Sequence, residues 1–210
     1  MNYTDITELA LEETDRTDAD TLSNIDRFLR LVEARVNRRL RTMNMSADTD
    51  LPVVPGTTLY ALPSGFRGAR LLKWVDGDSV TPMKLVTPEQ YAEESDSIYG
   101  AVSDPTNRRE IHYFIDDGFI YLWQAQQTGS INLLYYVKVP ELSSGSPTNW
   151  LGDDYADVYV NGLCKEIEVF NKNKEAAMAW DDMFKVSLAE IKVEDKHDRW
   201  SGAPMQMRTP

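Results

Sequence analysis

A single amphipathic helix, most regular over residues 24–42, constrains the fold of this chain more than any other stretch. It is predicted to start at Asp20 or Thr21 and to stop near residues 43–47. Its apolar side chains recur at steps of three and four residues, which is the period of an α-helix. These side chains are Ile25, Phe28, Leu29, Val32, Val36 and Leu40. At about 100° per residue they fall within a sector of about 120°, so this helix must bury one face in its own domain.

Arginines occupy much of the remaining surface of this helix. Those predicted to project opposite the apolar face are Arg27, Arg30, Arg38 and Arg41. Arg35 and Arg39 are predicted to flank that face. Such a stripe is either a solvated charged surface or a surface that docks on a partner, and the sequence leaves both interpretations open.

The charge of the chain is unevenly distributed along its length. The formal net charge is −12, which favours solubility and repulsion from bulk nucleic acid. Residues 1–26 hold eight acids and one arginine, a net charge of −7. Residues 27–41 hold six arginines and one glutamate, a net charge of +5. Because the whole chain is acidic, we expect the basic helix to bind an acidic protein surface rather than a phosphate backbone.

Length and composition fit one domain, or one domain with an insertion, in a chain of 210 residues. No stretch approaches the roughly 18 apolar residues that a membrane span needs, so we expect no membrane partner. The acidic N-terminus lacks an apolar signal region, which argues against secretion or mitochondrial import. The single cysteine, Cys164, excludes an intramolecular disulfide and is typical of a small core residue in a reducing compartment.

The middle of the chain changes from the helical period to the alternation of strands. The clearest hairpin joins residues 111–115 to 119–123 through Asp116-Asp117-Gly118. A further strand is predicted over residues 131–139, with Ile131, Leu133 and Tyr135 on one face. In all, we expect about five or six antiparallel strands and one short helix that starts near Thr87.

The predicted fold class is α+β, mainly a bundle of about four helices with a small antiparallel β unit inserted. One pair of helices precedes the β unit and the other pair follows it. The first pair spans residues 4–13, where Thr4 is the expected cap, and the long basic helix. The second pair spans 151–170 and 174–196. The predicted domain boundaries are 1–47 for the N-terminal helices, 48–145 for the β unit, 146–196 for the C-terminal helical hairpin and 197–210 for an extended arm.

The sequence contains no convincing catalytic, cofactor or metal site. With only His112, His197 and Cys164 available, no His/Cys metal cluster is possible, although a site made of carboxylates stays open. The adjacent carboxylates at residues 116–117 and 153–154 are what a tight turn and a helix N-terminus favour. Phosphate-binding and nucleophile motifs are absent. We therefore expect a protein that is not an enzyme and that binds no cofactor.

Three segments together resemble the head-to-tail adaptor (connector) proteins of tailed phages. The first is LSNIDRFLRLVEARVNRRLR, whose matching positions include Glu33, Ala34, Arg35, Asn37 and Arg38. The second is the run LLYYVKVPELSSGSPTNWL, over residues 133–151, which is similar to the strand-linker-helix passage of that family. The third is SGAPMQMR, over residues 201–208, which resembles the short C-terminal tail.

The resemblance implies a structural virion protein at the head–tail junction, present in the host cytoplasm during assembly. Such adaptors form a ring, usually of about twelve copies, under the portal protein. The ring extends the DNA channel, passes duplex DNA without sequence-specific contacts, and docks the tail nozzle or tube protein. The interface residues that it suggests, toward the portal or a neighbouring subunit, are Arg27, Arg30, Arg38, Arg41, Trp200, Met205, Met207 and Arg208.

Three alternatives remain open at the level of sequence. The first is another tail or head-completion subunit on the same axis. The second is a DNA-binding protein that uses the arginine-rich helix, which predicts steeply salt-dependent binding. The third alternative is a hydrolase that uses the paired carboxylates, for which Asp117 and Asp154 are the candidate residues.

Overall fold

The computed structural model describes residues 1–98, 111–122 and 129–200 of the chain. The chain divides into two compact units. The helical unit contains Met1–Met45 and the chain from Val139 onward, and the β unit contains Ser46–Lys138. The chain therefore leaves the helical unit once, forms the β unit and returns.

Six α-helices lie in the described residues, and with two β-sheets they make a mixed α and β fold, as predicted. They are α1 (Tyr3–Glu13), α2 (Ala19–Arg39), α3 (Pro88–Ile98), α4 (Trp150–Asp154), α5 (Ala156–Phe170) and α6 (Lys174–Trp200). Of these, α3 belongs to the β unit and the other five belong to the helical unit. A single 3-10 turn, Met43–Met45, ends the N-terminal segment of the helical unit.

The first two helices begin slightly before the positions that we predicted. Asn2 caps α1 by accepting a hydrogen bond from the backbone N–H of Asp5 at 3.0 Å. Asp18 caps α2 by accepting one from the N–H of Thr21 at 2.8 Å. The prediction that Thr4 caps the first helix and that Asp20 or Thr21 starts the second is therefore wrong, because these segments hold several adjacent residues that can cap a helix.

The basic helix ends before Arg41, so the predicted end beyond residue 42 is wrong. Leu40 has an extended backbone, with φ −96° and ψ 143°, although its N–H still donates to the carbonyl of Val36 at 2.9 Å. Arg41 consequently leaves the helical path and is half-buried rather than projecting with the other arginines.

The C-terminal helices also differ from their predicted extents. The helix predicted over residues 151–170 is interrupted at Tyr155, with φ −137° and ψ 53°, and so forms both α4 and α5. The last helix continues to Trp200, so the predicted start of the extended arm at residue 197 is wrong. The remaining predicted interface residues of the arm, Met205, Met207 and Arg208, lie outside the described residues.

α5 is the helix against which α1, α2 and α6 all pack. Its residues are buried over most of its length, including Tyr159, Leu163 and Ile167, each with no exposed surface. Gly162 marks the closest approach, because an added Cβ would lie 2.6 Å from Cγ1 of Val32 and 3.3 Å from Cε2 of Phe184. The absence of a side chain at this position is therefore what allows α2 and α6 to reach α5.

The β unit contains two four-stranded sheets rather than the single antiparallel unit that we predicted. The strands are β1 (Ser46–Val53), β2 (Leu59–Ala61), β3 (Phe66–Asp76), β4 (Ser79–Pro82), β5 (Lys84–Leu85), β6 (His112–Asp116), β7 (Phe119–Leu122) and β8 (Gly129–Val137). One sheet has the order β1-β8-β3-β4 and the other β2-β7-β6-β5, in which β5 and β6 are parallel. The sequence missed β1 because this strand contains Pro52 and buries only Val53.

The predicted hairpin between β6 and β7 is confirmed. Asp117 and Gly118 both have positive φ, at 44° and 79°, which a two-residue hairpin turn of this kind requires. The predicted buried face of β8 is also confirmed, since Ile131, Leu133 and Tyr135 are all buried in the core of the β unit. The alternation of apolar and polar residues along the sequence therefore identified the strands whose two faces differ clearly in polarity.

We expect Gly162→Ala to lower the free energy of unfolding by about 1–3 kcal/mol, although alanine favours helix more than glycine does. The new methyl group would overlap Val32, so Val32→Ala should cost less in the Gly162→Ala background than in the wild type. Urea unfolding of the four proteins gives this coupling. Gly145→Ala is the control, because only Ser143 Oγ comes as near as 4.0 Å to an added Cβ there, and additive costs would contradict the prediction.

Candidate assembly surface

The exposed surface of α2 carries three of the predicted interface arginines. Arg27, Arg30 and Arg38 are exposed, whereas Phe28, Leu29, Val32 and Val36 on the other side are buried. Arg30 lies 3.6 Å from the carboxylate of Glu141, with both side chains more than 60% exposed, at 74% and 62%. Such an exposed pair contributes little stability. Arg27 and Arg38 form no ion pair within the described residues.

Arg41 contributes to the interior of the helical unit instead. Its Nη1 donates to the carbonyl of Asn37 at 2.7 Å and to that of Leu40. The Arg41 carbonyl in turn accepts a hydrogen bond from Nη2 of Arg199 on α6 at 3.3 Å. The prediction that Arg41 projects with the stripe is therefore wrong, because the extended backbone at Leu40 turns the chain toward α6.

Arg35 links three helices through a mostly buried ionic network. Its Nη1 binds the carboxylate of Glu166 on α5, a side chain that is 5% exposed. Lys165 contacts the same carboxylate at 2.9 Å and lies 3.9 Å from Asp181 on α6. A hydrogen bond from Lys185 is the main reason that the pKa of Asp181 is lowered. Arg35 thus has a structural role, which agrees with its predicted place at the flank of the apolar face.

The same helix buries two polar side chains that the sequence analysis did not single out. Glu33 accepts hydrogen bonds from the backbone N–H of Leu142 at 2.7 Å and from the hydroxyl of Tyr159 at 3.2 Å. Asn37 accepts one from the N–H of Val139 at 2.9 Å. The segment that returns from the β unit is therefore attached to α2. This attachment explains why the compact β unit ends at Lys138 and not at the predicted residue 145.

Asn149 completes this buried polar network on the other side of the returning segment. Its Nδ2 donates to the carbonyl of Pro140 at 2.6 Å and to the hydroxyl of Tyr159 at 2.8 Å. Its Oδ1 accepts from the N–H of Gly152 and so caps α4. The three side-chain anchors Glu33, Asn37 and Asn149 all lie in the two segments that resemble phage adaptors.

Burial controls the protonation of this network. It raises the pKa of the Glu33 carboxyl, while the hydrogen bonds from Leu142 and Tyr159 act in the opposite direction. Burial also raises the pKa of the Tyr159 hydroxyl, and Glu33 adds to that effect. The Tyr159 hydroxyl therefore stays protonated at physiological pH, so it can donate its hydrogen bond to the Glu33 carboxylate.

A cationic pocket lies where the ends of α2 and α6 meet. It is lined by Arg39, Arg41, Lys192, Asp195, Lys196 and Arg199. The one carboxylate, Asp195, accepts from the N–H of Met43 at 2.5 Å and from Nε of Arg199 at 2.8 Å. These bonds hold the two helix ends together, and they leave the pocket with an excess of positive charge in an acidic protein.

The residues weighed for catalysis occupy ordinary structural positions. The Asp116-Asp117 pair lies in the hairpin turn and Asp153-Asp154 in α4, all exposed. His112 belongs to β6 and His197 to the last turn of α6. Cys164 is buried and its thiol contacts the Ala10 carbonyl at 3.7 Å, while burial raises its pKa to about 12. Among the described residues, no group of three metal-ligating side chains was found, and no helix is long and apolar enough to span a membrane.

A family model described as SU10 adaptor protein matches residues 1–208, so the chain belongs to this family of phage head-tail adaptors. The suspected resemblance to phage adaptors is thereby confirmed. The chain is accordingly a bacteriophage structural protein, with a place in the virion. A search of curated proteins found no match.

We expect Glu33→Ala to lower the free energy of unfolding by about 2–3 kcal/mol, because it leaves the Leu142 N–H and the Tyr159 hydroxyl without their acceptor. Glu33→Gln keeps an acceptor oxygen and should cost about 1 kcal/mol. Chemical unfolding at neutral pH measures both. Glu12→Ala, at an exposed position of α1, is the control. Equal losses for Glu33→Ala and Glu12→Ala would contradict the role of the network.

The difference in stability between the wild type and Glu33→Gln depends on pH, and the direction of the change follows from the pKa of Glu33. Because burial raises the pKa of Glu33 above its ordinary value of 4.5, the folded protein binds a proton more tightly than the unfolded chain does. The resulting stabilisation is present below the unfolded pKa and is lost as the pH rises through the folded pKa. We expect the stability of the wild type relative to Glu33→Gln to fall across that window. A difference that is constant with pH would contradict this assignment.

Proposed function

We propose that this protein assembles into a ring of about twelve copies under the portal, where it extends the DNA channel and docks the tail. The membership of the chain, over residues 1–208, in a family of phage head-tail adaptors carries this proposal. Its partners are then the portal protein, the nozzle or tube protein of the tail, and further copies of the same chain.

The helical unit supports this role as a rigid body for ring packing. In the proposal, the N-terminal and C-terminal helices form a bundle, and the packing of α1, α2 and α6 on α5 agrees with that arrangement. The ionic network of Arg35, Glu166 and Lys165 and the buried network of Glu33 both resist sliding of these helices. A subunit that keeps its shape loses less conformational entropy when it packs into a ring.

Exposed arginines on α2 supply the assembly surface in this proposal. Arg27, Arg30 and Arg38 lie on one exposed side of a helix whose other side is held in the core. Arginine is favoured at interfaces because its planar guanidinium binds carboxylates through two hydrogen bonds. The partner of this surface is either a neighbouring subunit or the portal.

The proposed portal contact uses the C-terminal arm. Trp200, Met205 and Met207 would be its apolar anchors and Arg208 its charged anchor. A short peptide with aromatic and methionine side chains can bind a groove on a partner, where the loss of entropy is offset by new contacts. The β unit is left in this arrangement as the surface that meets the tail.

Duplex DNA is proposed to pass through the ring without sequence-specific contacts. The net charge of −12 supports an acidic lumen along which a phosphate backbone slides by like-charge repulsion. The second candidate function, direct DNA binding by the arginine helix, has less support. Arg35 and Arg41 make internal contacts, which leaves fewer cations for phosphate. A role as another tail or head-completion subunit on the same axis is the alternative within the same class of structural virion proteins.

We expect native mass spectrometry and negative-stain imaging of the full chain to show a ring, alone or only with the portal protein of the same phage. Arg27→Glu with Arg38→Glu should abolish the ring and leave the circular-dichroism spectrum unchanged. Arg27→Lys with Arg38→Lys, which keeps the charge, is the matched control. A protein that remains monomeric and does not bind the portal at micromolar concentration would contradict the proposed adaptor ring. Retardation of duplex DNA at low salt would then favour the DNA-binding alternative.

The proposed arm has a separate test in the full-length protein. Met205→Ala with Met207→Ala should weaken portal binding by about tenfold or more, since each removes an apolar anchor. We expect the unfolding midpoint to stay at the wild-type value. Pull-down by the portal protein measures the binding, and Met43→Ala, at an exposed methionine outside the arm and outside both helix faces, is the control. Unchanged binding would show that the arm is not the portal contact.

A further inference from the structure

We propose that the outward side of α6 is the receptor for the arginine surface of α2 from a second copy of this chain. This inference rests on the proposed ring, and it names the two surfaces that meet between neighbouring copies. It starts from a property of α6 that the helical unit itself does not use.

α6 carries apolar side chains on two opposite sides. The buried side holds Ala177, Phe184, Leu188 and Ile191. The outward side holds Met178, Met183, Val186 and Val193, which are 70%, 51%, 56% and 66% exposed. At about 100° per residue, the centres of the two groups lie about 180° apart. A helix that is apolar on both sides is normally covered on both sides, and the described chain covers only one.

Acidic residues lie among the outward apolar side chains of α6. Glu175, Asp182 and Glu190 are all exposed on this side. Asp182 also contacts Lys185 at 3.0 Å, through a carboxylate that is 76% exposed and therefore still accessible. The acidic-apolar face of α6 is thus defined by Met178, Met183, Val186, Val193, Glu175, Asp182 and Glu190.

The exposed side of α2 has the complementary composition. Arg27, Arg30 and Arg38 surround Leu31, which is 43% exposed, and the exposed Ala34. These five residues define the arginine face. A small apolar centre surrounded by guanidinium groups matches an apolar stripe that is interrupted by carboxylates, both in charge and in hydrophobicity.

The spacing of the charges also matches. Arg30 and Arg38 are eight residues apart in α2, and Asp182 and Glu190 are eight residues apart in α6. Eight residues correspond to about 12 Å along a helix axis, so both ion pairs can form at once when the helices pack side by side. The apolar residues between the charges would then be removed from water.

The charges on the two faces favour packing of α2 on α6 over packing of two identical helices. Packing α6 on α6, or α2 on α2, would place like charges opposite each other, and such juxtapositions cost several kcal/mol. The contact between unlike faces joins two different surfaces, so each pair of copies keeps one unused face of each kind. Contacts of this type continue from copy to copy and close into a ring when the rotation permits.

Disulfide trapping tests the contact directly. Ala34→Cys places a thiol at the centre of the arginine face, and Ala189→Cys places one on the outward side of α6. The native Cys164 is buried and does not compete. We expect a covalent dimer under oxidising conditions when the two full-length variants are mixed, either by themselves or with the portal protein added, and none from a single variant. Dimers from a single variant, or no dimer in the mixture, would overturn the inference.

Charge reversal gives an independent test by sedimentation velocity. Arg30→Glu with Arg38→Glu, and separately Asp182→Lys with Glu190→Lys, should each weaken self-association by at least about tenfold. Equal mixtures of the two variants should recover it, because each reversed face then meets its reversed partner. Glu8→Lys with Glu12→Lys, at exposed positions of α1, is the control for charge alone. A mixture that fails to recover would overturn the inference, as would a wild type whose copies associate neither alone at about 1 mM nor with the portal protein present.

The portal complex separates this inference from the proposed function. Each reversed variant is also imaged with the portal protein. Normal rings from both variants would exclude the α2–α6 contact and leave the adaptor role intact. Failure of the wild type to bind the portal would contradict the adaptor role, whatever the trapping experiment shows.

Discussion

The rest of the helical unit depends on one buried carboxylate, that of Glu33. It accepts hydrogen bonds from the Leu142 N–H and from the Tyr159 hydroxyl, and so joins α2 to the returning chain and to α5. A buried charge is costly unless its partners satisfy it, and both partners here come from distant parts of the sequence. The Glu33 carboxylate therefore has its hydrogen-bond donors only when the N-terminal and C-terminal helices are assembled around it. A misassembled unit would leave this buried charge unpaired.

This arrangement also explains how a β unit can be inserted into a helical unit. The chain leaves after Met45 and returns at Val139, whose N–H donates to Asn37 only four residues beyond Glu33 on the same helix. Two side chains one turn apart on α2 thus fix the backbone of the returning segment, at Val139 and Leu142, within the helical unit.

Periodicity predicted those parts of the fold whose two sides differ clearly in polarity. It identified the buried side of α2, the β6–β7 hairpin and the buried face of β8. It failed for β1, which buries only Val53, and at Tyr155, where one apolar period continues across a break in the helix. It also treated Glu33 and Asn37 as ordinary polar residues, because their acceptor roles depend on contacts more than 100 residues away, at separations of 109 and 102.

In the proposed assembly, the buried side of α2 serves folding and its exposed side binds a partner. Glu33, Asn37 and Arg35 fix its position, and so the outward arginines are presented at a defined spacing before any partner arrives. A guanidinium on a mobile element would lose its freedom on binding and weaken the contact. Cations of this acidic chain are concentrated on α2 and at the end of α6. This segregation agrees with the proposed contact, in which copies repel one another except where the arginine face meets the acidic-apolar face.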